Sequence, residues 1–324
     1  MIGPSRGAKL FGAGLATIAL VVGCSSPDED SDDTGFEPIT IEHQYGSTTI
    51  ATDPQVVVTM AGAWTDALVA MDIPITAEYV MEGYAGENNR FEWTPEHESE
   101  IVAFTGTESV TVPQLAAFEP DLILAGYIGS EDEYKRLSQV APTIPVMATD
   151  SIMDSWQDVT LTAGKIFDRM GRAQALVDDA EAQVAAFKSE YPVAQGKTFS
   201  FGQLSPDSQI GLIADENDPT SLLLASMGFV LDPKIKDVAA GQSRVLVSPE
   251  RTDLLDSDLL ILWPLAGGPE AFDALPGWSD RTAVQSGATV FVDNNNSSAL
   301  ANPTILSVPY ALDLIGPAAA KIPA

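Results

Sequence analysis

Between about Ser155 and Tyr191 the chain runs without a proline and repeats apolar residues at helical spacing: Val159, Ile166, Phe167, Met170, Leu176, Val177, Ala180, Val184 and Phe187. At about 1.5 Å per residue such a helix, if continuous, would run some 50 Å. That is longer than one layer of an α/β domain needs. The stretch therefore reads as a connector between two lobes, with Gly171 as the place for a kink.

Strands alternate with helices on both sides of it. Before it, Gln55–Met60 is a β-branched run typical of a buried strand, and Thr65–Met71 is helical. Leu115–Glu119 is a helix cut by Pro120, Asp121–Ala125 a buried strand, Glu131–Gln139 an exposed amphipathic helix and Thr143–Met147 a short strand. After it, Lys197–Phe201 is a strand and Ser221–Met227 a helix. Such alternation predicts parallel sheets covered by helices. There is also an internal echo. ERTDLLDSDLLIL (250–262) repeats the pattern of PQLAAFEPDLILA (113–125), with Asp258 standing for Asp121 before a buried strand, and LLLASMGFV echoes DALVAMDIP. The period is too long for a solenoid, so the echo predicts two related lobes.

Cys24 is the only cysteine and closes the leader MIGPSRGAKLFGAGLATIALVVGC. Arg6 and Lys9 are a positive n-region and Leu10–Val22 an apolar h-region, too short to span a bilayer and suited to secretion. Val21-Val22-Gly23-Cys24 resembles a bacterial lipobox, which implies a lipid on the Cys24 sulfur. The acidic stretch SSPDEDSDDTG then reads as a solvated tether. The expected organisation is a signal peptide at 1–23, lipidated Cys24 and tether at 24–36, an N-lobe at 37–153, the connecting helix at 154–191 and a C-lobe at 192–324. A net charge of −30 argues against nucleic acid as a partner and against flat binding to anionic lipid. A lipidated Cys24 leaves no thiol for a disulfide, a metal or nucleophilic attack.

Six segments, in order, resemble the iron-siderophore and vitamin B12 family of ABC-transporter substrate-binding lipoproteins. They are PQVVVTMAGAWTDALVAM, LAAFEPDLILAGY and EYKRLSQVAPTIPV in the first half, and VSPERTDLLDSDLLIL, LPGWSDRTAVQSGATVFVD and SALANPTILSVPYALDLI in the second. The resemblance covers roughly residues 37–318 and is most similar to the ferric-siderophore branch. It implies an α/β fold of two Rossmann-like lobes with parallel sheets joined by one long rigid α-helix, the class III periplasmic binding protein type. It implies a monomer held by lipid on the extracytoplasmic face of the cell membrane. Its partners would be a ferric siderophore, captured in an interlobe cleft, and an ABC permease with its ATPase. Iron would travel inside the siderophore, so no resident cofactor or metal is expected.

A bulky ferric chelate needs aromatic walls and a few polar hooks. Trp64 follows the first strand, where an α/β lobe presents its loops. Tyr84, Arg90 and Trp93 lie in the polar loop YAGENNRFEW, and these four would form the N-lobe wall. Tyr127, Gln203 and Trp263 each follow or end a strand, and Arg244 precedes VLVSPE. Arginine suits anionic chelator oxygens and aromatic rings pack on the chelator. Trp156 and Trp278 read as packing residues. The family docks on its permease through one carboxylate per lobe. Glu250 fits that position in the C-lobe, whereas the equivalent N-lobe position is Pro113, leaving Glu108 or Glu119 as substitutes.

Two alternatives share the fold. Haem would need an axial ligand such as His43 or His97, with cobalamin a further option. A surface or signalling protein that does not transport is the other. Catalysis is not expected, because no G-x-S-x-G elbow, H-E-x-x-H or P-loop occurs.

Overall fold

A computed structural model describes residues 36–105, 111–149 and 151–324. The leader, Cys24 and Glu108 lie outside the described residues. Phe36–Ala324 forms one compact unit.

The chain enters through an antiparallel hairpin that sequence reading missed, β1 (Ile39–His43) with β2 (Gly46–Ile50). A five-stranded parallel sheet follows: β3 (Val57–Thr59), β4 (Ala77–Met81), β5 (Glu100–Phe104), β6 (Leu122–Gly126) and β7 (Thr143–Pro145), in the order β5-β4-β3-β6-β7. Its central strands β3 and β6 are buried throughout because helices cover both faces. Alternate residues feed two cores. Val57, Leu122 and Leu124 face one, and Val58, Ile123 and Ala125 the other. Helices α1 (Gly62–Ala70), α2 (Val112–Ala116) and α3 (Glu131–Leu137) make the crossovers. The strand order reverses between β3 and β6, which is where open α/β sheets take ligands. Gly126 ends β6 at a φ of +63°, and a Cβ there would stand 2.9 Å from the Ala61 methyl, so only glycine fits this corner.

The second sheet holds β8 (Thr198–Leu204), β9 (Ile210–Ile213), β10 (Val230–Leu231), β11 (Arg244–Val247), β12 (Leu259–Pro264) and β13 (Thr289–Phe291). The path is β11-β9-β8-β12-β13, with β10 against β8. The expected parallel arrangement holds for β8, β10, β12 and β13, but β9 runs antiparallel to both β8 and β11. The four-residue turn between Leu204 and Gln209, closed by Ser205, makes that reversal. Helices α6 (Pro219–Ser226), α7 (Pro233–Ala239), α8 (Thr282–Ser286), α9 (Asn294–Ala301) and α10 (Ser307–Ala319) complete this half.

The echoed aspartates perform the same task in each sheet. Asp121, just before β6, accepts the backbone N–H groups of Gln55 and Val56 at 2.8 and 3.0 Å. Asp258, just before β12, accepts that of Thr198 at 2.8 Å. Each carboxylate pins the start of the neighbouring strand and so sets its register.

The expected long helix is present as α5 (Met170–Glu190), but it does not begin at 155: a shorter helix, α4 (Trp156–Ile166), precedes it. The helix stops at Phe167, and Asp168 takes a left-handed φ of +51°. Helix α5 alone spans about 31 Å. Gly171 lies within α5 and does not kink it. The glycine that matters is Gly164, where a Cβ would fall 2.4 Å from the Ala173 methyl. Gly164→Ala is expected to force α4 and α5 apart at a cost of about 1–3 kcal/mol. Gly171→Ala, with nothing within 4 Å of its added methyl, should be neutral or stabilising. Thermal denaturation of the two variants measures the contrast.

Candidate functional site

The loops at the carboxyl ends of β12 and β13 face the loop after β4 across a cavity of about 520 Å³. Gly83 and Ala85 close it from the first half. From the second half come Trp263 and Pro264 at the end of β12, the Gly267–Pro269 turn, and Phe291 with Asp293–Asn296 after β13. The volume lies within the usual range for small-ligand sites.

Helix α9 is built to present its first turn here. Asp293 is its N-cap, accepting the Asn296 N–H at 2.9 Å, while the Asn296 side chain accepts the Asp293 N–H at 2.7 Å. Asn294 Nδ2 donates to the Gly83 carbonyl at 2.8 Å, tying the two halves together. Asn295 Oδ1 is buried at the wall without a hydrogen-bond partner.

Two further groups join the halves. Asp66, in α1, is fully buried and accepts hydrogen bonds from Trp93 Nε1 at 3.0 Å, from Thr94 Oγ1 at 2.6 Å and from Thr304 Oγ1. Burial raises its carboxyl to about 6, although the three hydrogen bonds work in the opposite direction. Tyr310, on α10, donates to Glu92 at 3.2 Å. Burial, and then the Glu92 carboxylate, push its phenol up to about 12.

The residues expected to line the site divide clearly. Tyr84, 39% exposed, meets Trp263 edge-on at 6.2 Å between ring centres, so one aromatic from each half is brought together. Gln203 pairs with Trp263 in the sheet register, but it does not line the cavity. Trp93 stacks on Phe91 at 4.6 Å and packs on Tyr310 at 5.2 Å, which makes it part of the joint between halves. Tyr127 is exposed away from the cavity lining.

Three of the expected wall residues lie outside the lining of this cavity. Trp64 is only 1% exposed and belongs to the core, since the first turn of α1 points inward. Arg90 Nη1 lies 3.2 Å from Glu78 Oε1 and 2.9 Å from the His97 ring, so its charge is already answered within the first half. Glu78 also accepts from Ser99 at 2.6 Å. Arg244 sits on the edge strand β11 beside Asp218 at 3.5 Å, away from the cavity lining.

His43 is buried against Thr48 at 3.0 Å and His97 is held by Glu78 at 3.1 Å, so neither imidazole lines the cavity. Among the described residues, no group of three or more His, Cys, Asp or Glu converges to hold a metal ion. No described helix is long and apolar enough to cross a membrane. Glu250 is exposed, as are Pro113 and Glu119.

Sequence reading missed Asp66, Thr304, Phe291 and the asparagines of α9. The run VFVDNNN was the available signal, because it places three carboxamides directly after a strand.

Two α/β halves with a ligand-sized cavity at their strand ends define a two-lobed solute binder. The chain belongs to the periplasmic binding protein family, whose pattern matches residues 85–295. The Fe(3+) dicitrate-binding periplasmic protein FecB of Escherichia coli strain K12 is 24% identical over 262 residues, 79% of this chain and 82% of that protein. The Fe(3+)-citrate-binding protein YfmC of Bacillus subtilis strain 168 is 22% identical, with 87% of each chain covered. Among solved structures, PiaA of Streptococcus pneumoniae TIGR4 in complex with ferrichrome superposes with a TM-score of 0.70 at 22% identity, covering 88% of this chain and all of that one. A periplasmic solute binding protein from Mycobacterium smegmatis gives 0.72 at 21% identity, covering 88% and 98%.

Proposed function

We propose that this protein captures a ferric siderophore outside the cytoplasm and delivers it to an ABC permease driven by its ATPase. The cavity shared by two α/β halves, with the Trp263 ring in its wall and Tyr84 of the first half packed edge-on against that ring, carries this reading. Relatives named for ferric citrate, ferric anguibactin and ferric enterobactin support it. The iron is held by the chelator's own oxygens, and the protein supplies a shaped wall. The working units are an N-lobe at 37–153 and a C-lobe at 192–324, acting as a monomer anchored through lipid on Cys24. Glu250 is the C-lobe contact for the permease; Pro113 leaves the N-lobe to dock by other means.

The test is a tryptophan-fluorescence titration of the full-length protein with ferric chelates, haem and cobalamin. Saturable quenching by a ferric chelate at submicromolar concentration, with haem and cobalamin silent, is the expected result. Saturation by haem or cobalamin alone would overturn it. Tyr84→Ala removes an exposed ring whose only hydrogen bond to the fold is made by the backbone, so it should weaken chelate binding about tenfold with little change in stability.

A further inference from the structure

The charges around the cavity specify the cargo more narrowly. Resting on the siderophore reading above, we propose that the ligand is a neutral or cationic ferric hydroxamate, selected against anionic citrate and catecholate chelates. Among the described residues lining the cavity there is no lysine, arginine or histidine. The ionisable side chain at its wall is the Asp293 carboxylate.

Arg90 is paired with Glu78, and Arg244 faces Asp218 at the far sheet edge. Lys321 lines an adjoining hollow of about 440 Å³ that shares Pro269 and Phe291 with the cavity, and there it stands in company with two carboxylates, Glu270 and Asp273. The positive end of α9 points at the cavity, but Asp293 caps it and offsets its partial charge. An anionic chelate would lose solvent here and meet a carboxylate without a cation to answer it.

What the wall does provide suits hydroxamates. The Trp263 and Phe291 rings offer aromatic surface for a cationic or neutral shell. Asn295 Oδ1 is an acceptor with no partner, matched to an amide N–H or an ammonium of the chelator. Asn296 and Asn294 are held in place by their bonds to Asp293 and Gly83.

The experiment titrates the full-length protein with four ferric chelates: ferrioxamine B, which carries a single positive charge, neutral ferrichrome, and the anionic ferric dicitrate and ferric enterobactin. Ferrioxamine B and ferrichrome are expected to bind at least tenfold more tightly than the two anions. Asp293→Asn keeps a residue able to cap α9 while removing the charge. It should narrow the ratio of ferrioxamine B to ferrichrome affinity by threefold or more. If an anionic chelate binds as tightly as the hydroxamates, or if Asp293→Asn leaves that ratio unchanged, the charge inference falls while the siderophore reading stands. Silence toward all four chelates would remove the siderophore reading and this inference with it.

Discussion

Asp66→Ala is expected to destabilise the protein by on the order of 3 kcal/mol, because it strands one buried and two partly buried donors at once. Trp93 Nε1, Thr94 Oγ1 and Thr304 Oγ1 all lose their acceptor. Asp66→Asn keeps an oxygen for two of them, and a hydroxyl can turn to accept from the new amide, so its cost should be much smaller. The pair also isolates a pH effect. Burial raises the Asp66 carboxyl to about 6 in the folded protein. Between its ordinary range and that value the folded state binds a proton that the unfolded state does not. The stabilisation from this group is therefore complete at low pH and is lost as pH rises from ~4 through about 6. Subtracting the thermal denaturation profile of Asp66→Asn from that of the unaltered protein should leave a falling stability difference across this window. A flat difference would mean that Asp66 is not the titrating group.

Arg90→Ala is expected to cost stability, again on the order of 3 kcal/mol, before it costs affinity. Glu78 is only 4% exposed, and removal of the guanidinium leaves its carboxylate with His97 and Ser99 as partners. Replacing both partners, Glu78→Leu with Arg90→Met, should recover part of the loss because neither charge is then buried alone. Denaturant unfolding of the two single variants and the double variant gives the coupling energy. Chelate affinity of folded Arg90→Ala should change by less than threefold. A larger fall in affinity with unchanged stability would return Arg90 to the ligand wall.

Arg90 also shows where sequence reading reached its limit. Residue type and loop setting nominated it as a ligand-binding cation, but its partner Glu78 lies on β4, twelve positions earlier, in a strand whose buried glutamate has no periodic signature. Trp64 failed for a related reason. The position after a strand was right, but helix phase decides whether a side chain points to the loop or to the core, and one residue of phase error is about 100°. By contrast, Asp121 and Asp258 were legible because each immediately precedes an apolar run, and the register bonds they make are local to that junction. The sheets were visible through buried strands such as those of β6 and β12. The β1–β2 hairpin and antiparallel β9 were not: β1 and β2 are short and largely polar, and the four residues of β9, though apolar, carry no sign of the direction in which the strand runs. The break between α4 and α5 escaped for a different reason: apolar spacing continues through Phe167 and Met170, while the turn depends on a single left-handed residue.

Helix α1 is gripped at its middle and at its last residue by the later part of the chain. Thr304 holds Asp66, and the Arg172 guanidinium, at the start of α5, donates to the Ala70 carbonyl at 3.2 and 3.3 Å. The two points are four residues apart, about 6 Å along the axis. With such a short lever arm, a rocking of about 10° about Ala70 carries Asp66 through about 1 Å. Trp93 and Thr94 belong to the same half as Asp66, so such a displacement would stretch the Thr304 bond and leave the other two in place. The acid is thus a pin seated firmly on one side of the joint, and strain between the halves falls first on a single hydroxyl of the later chain.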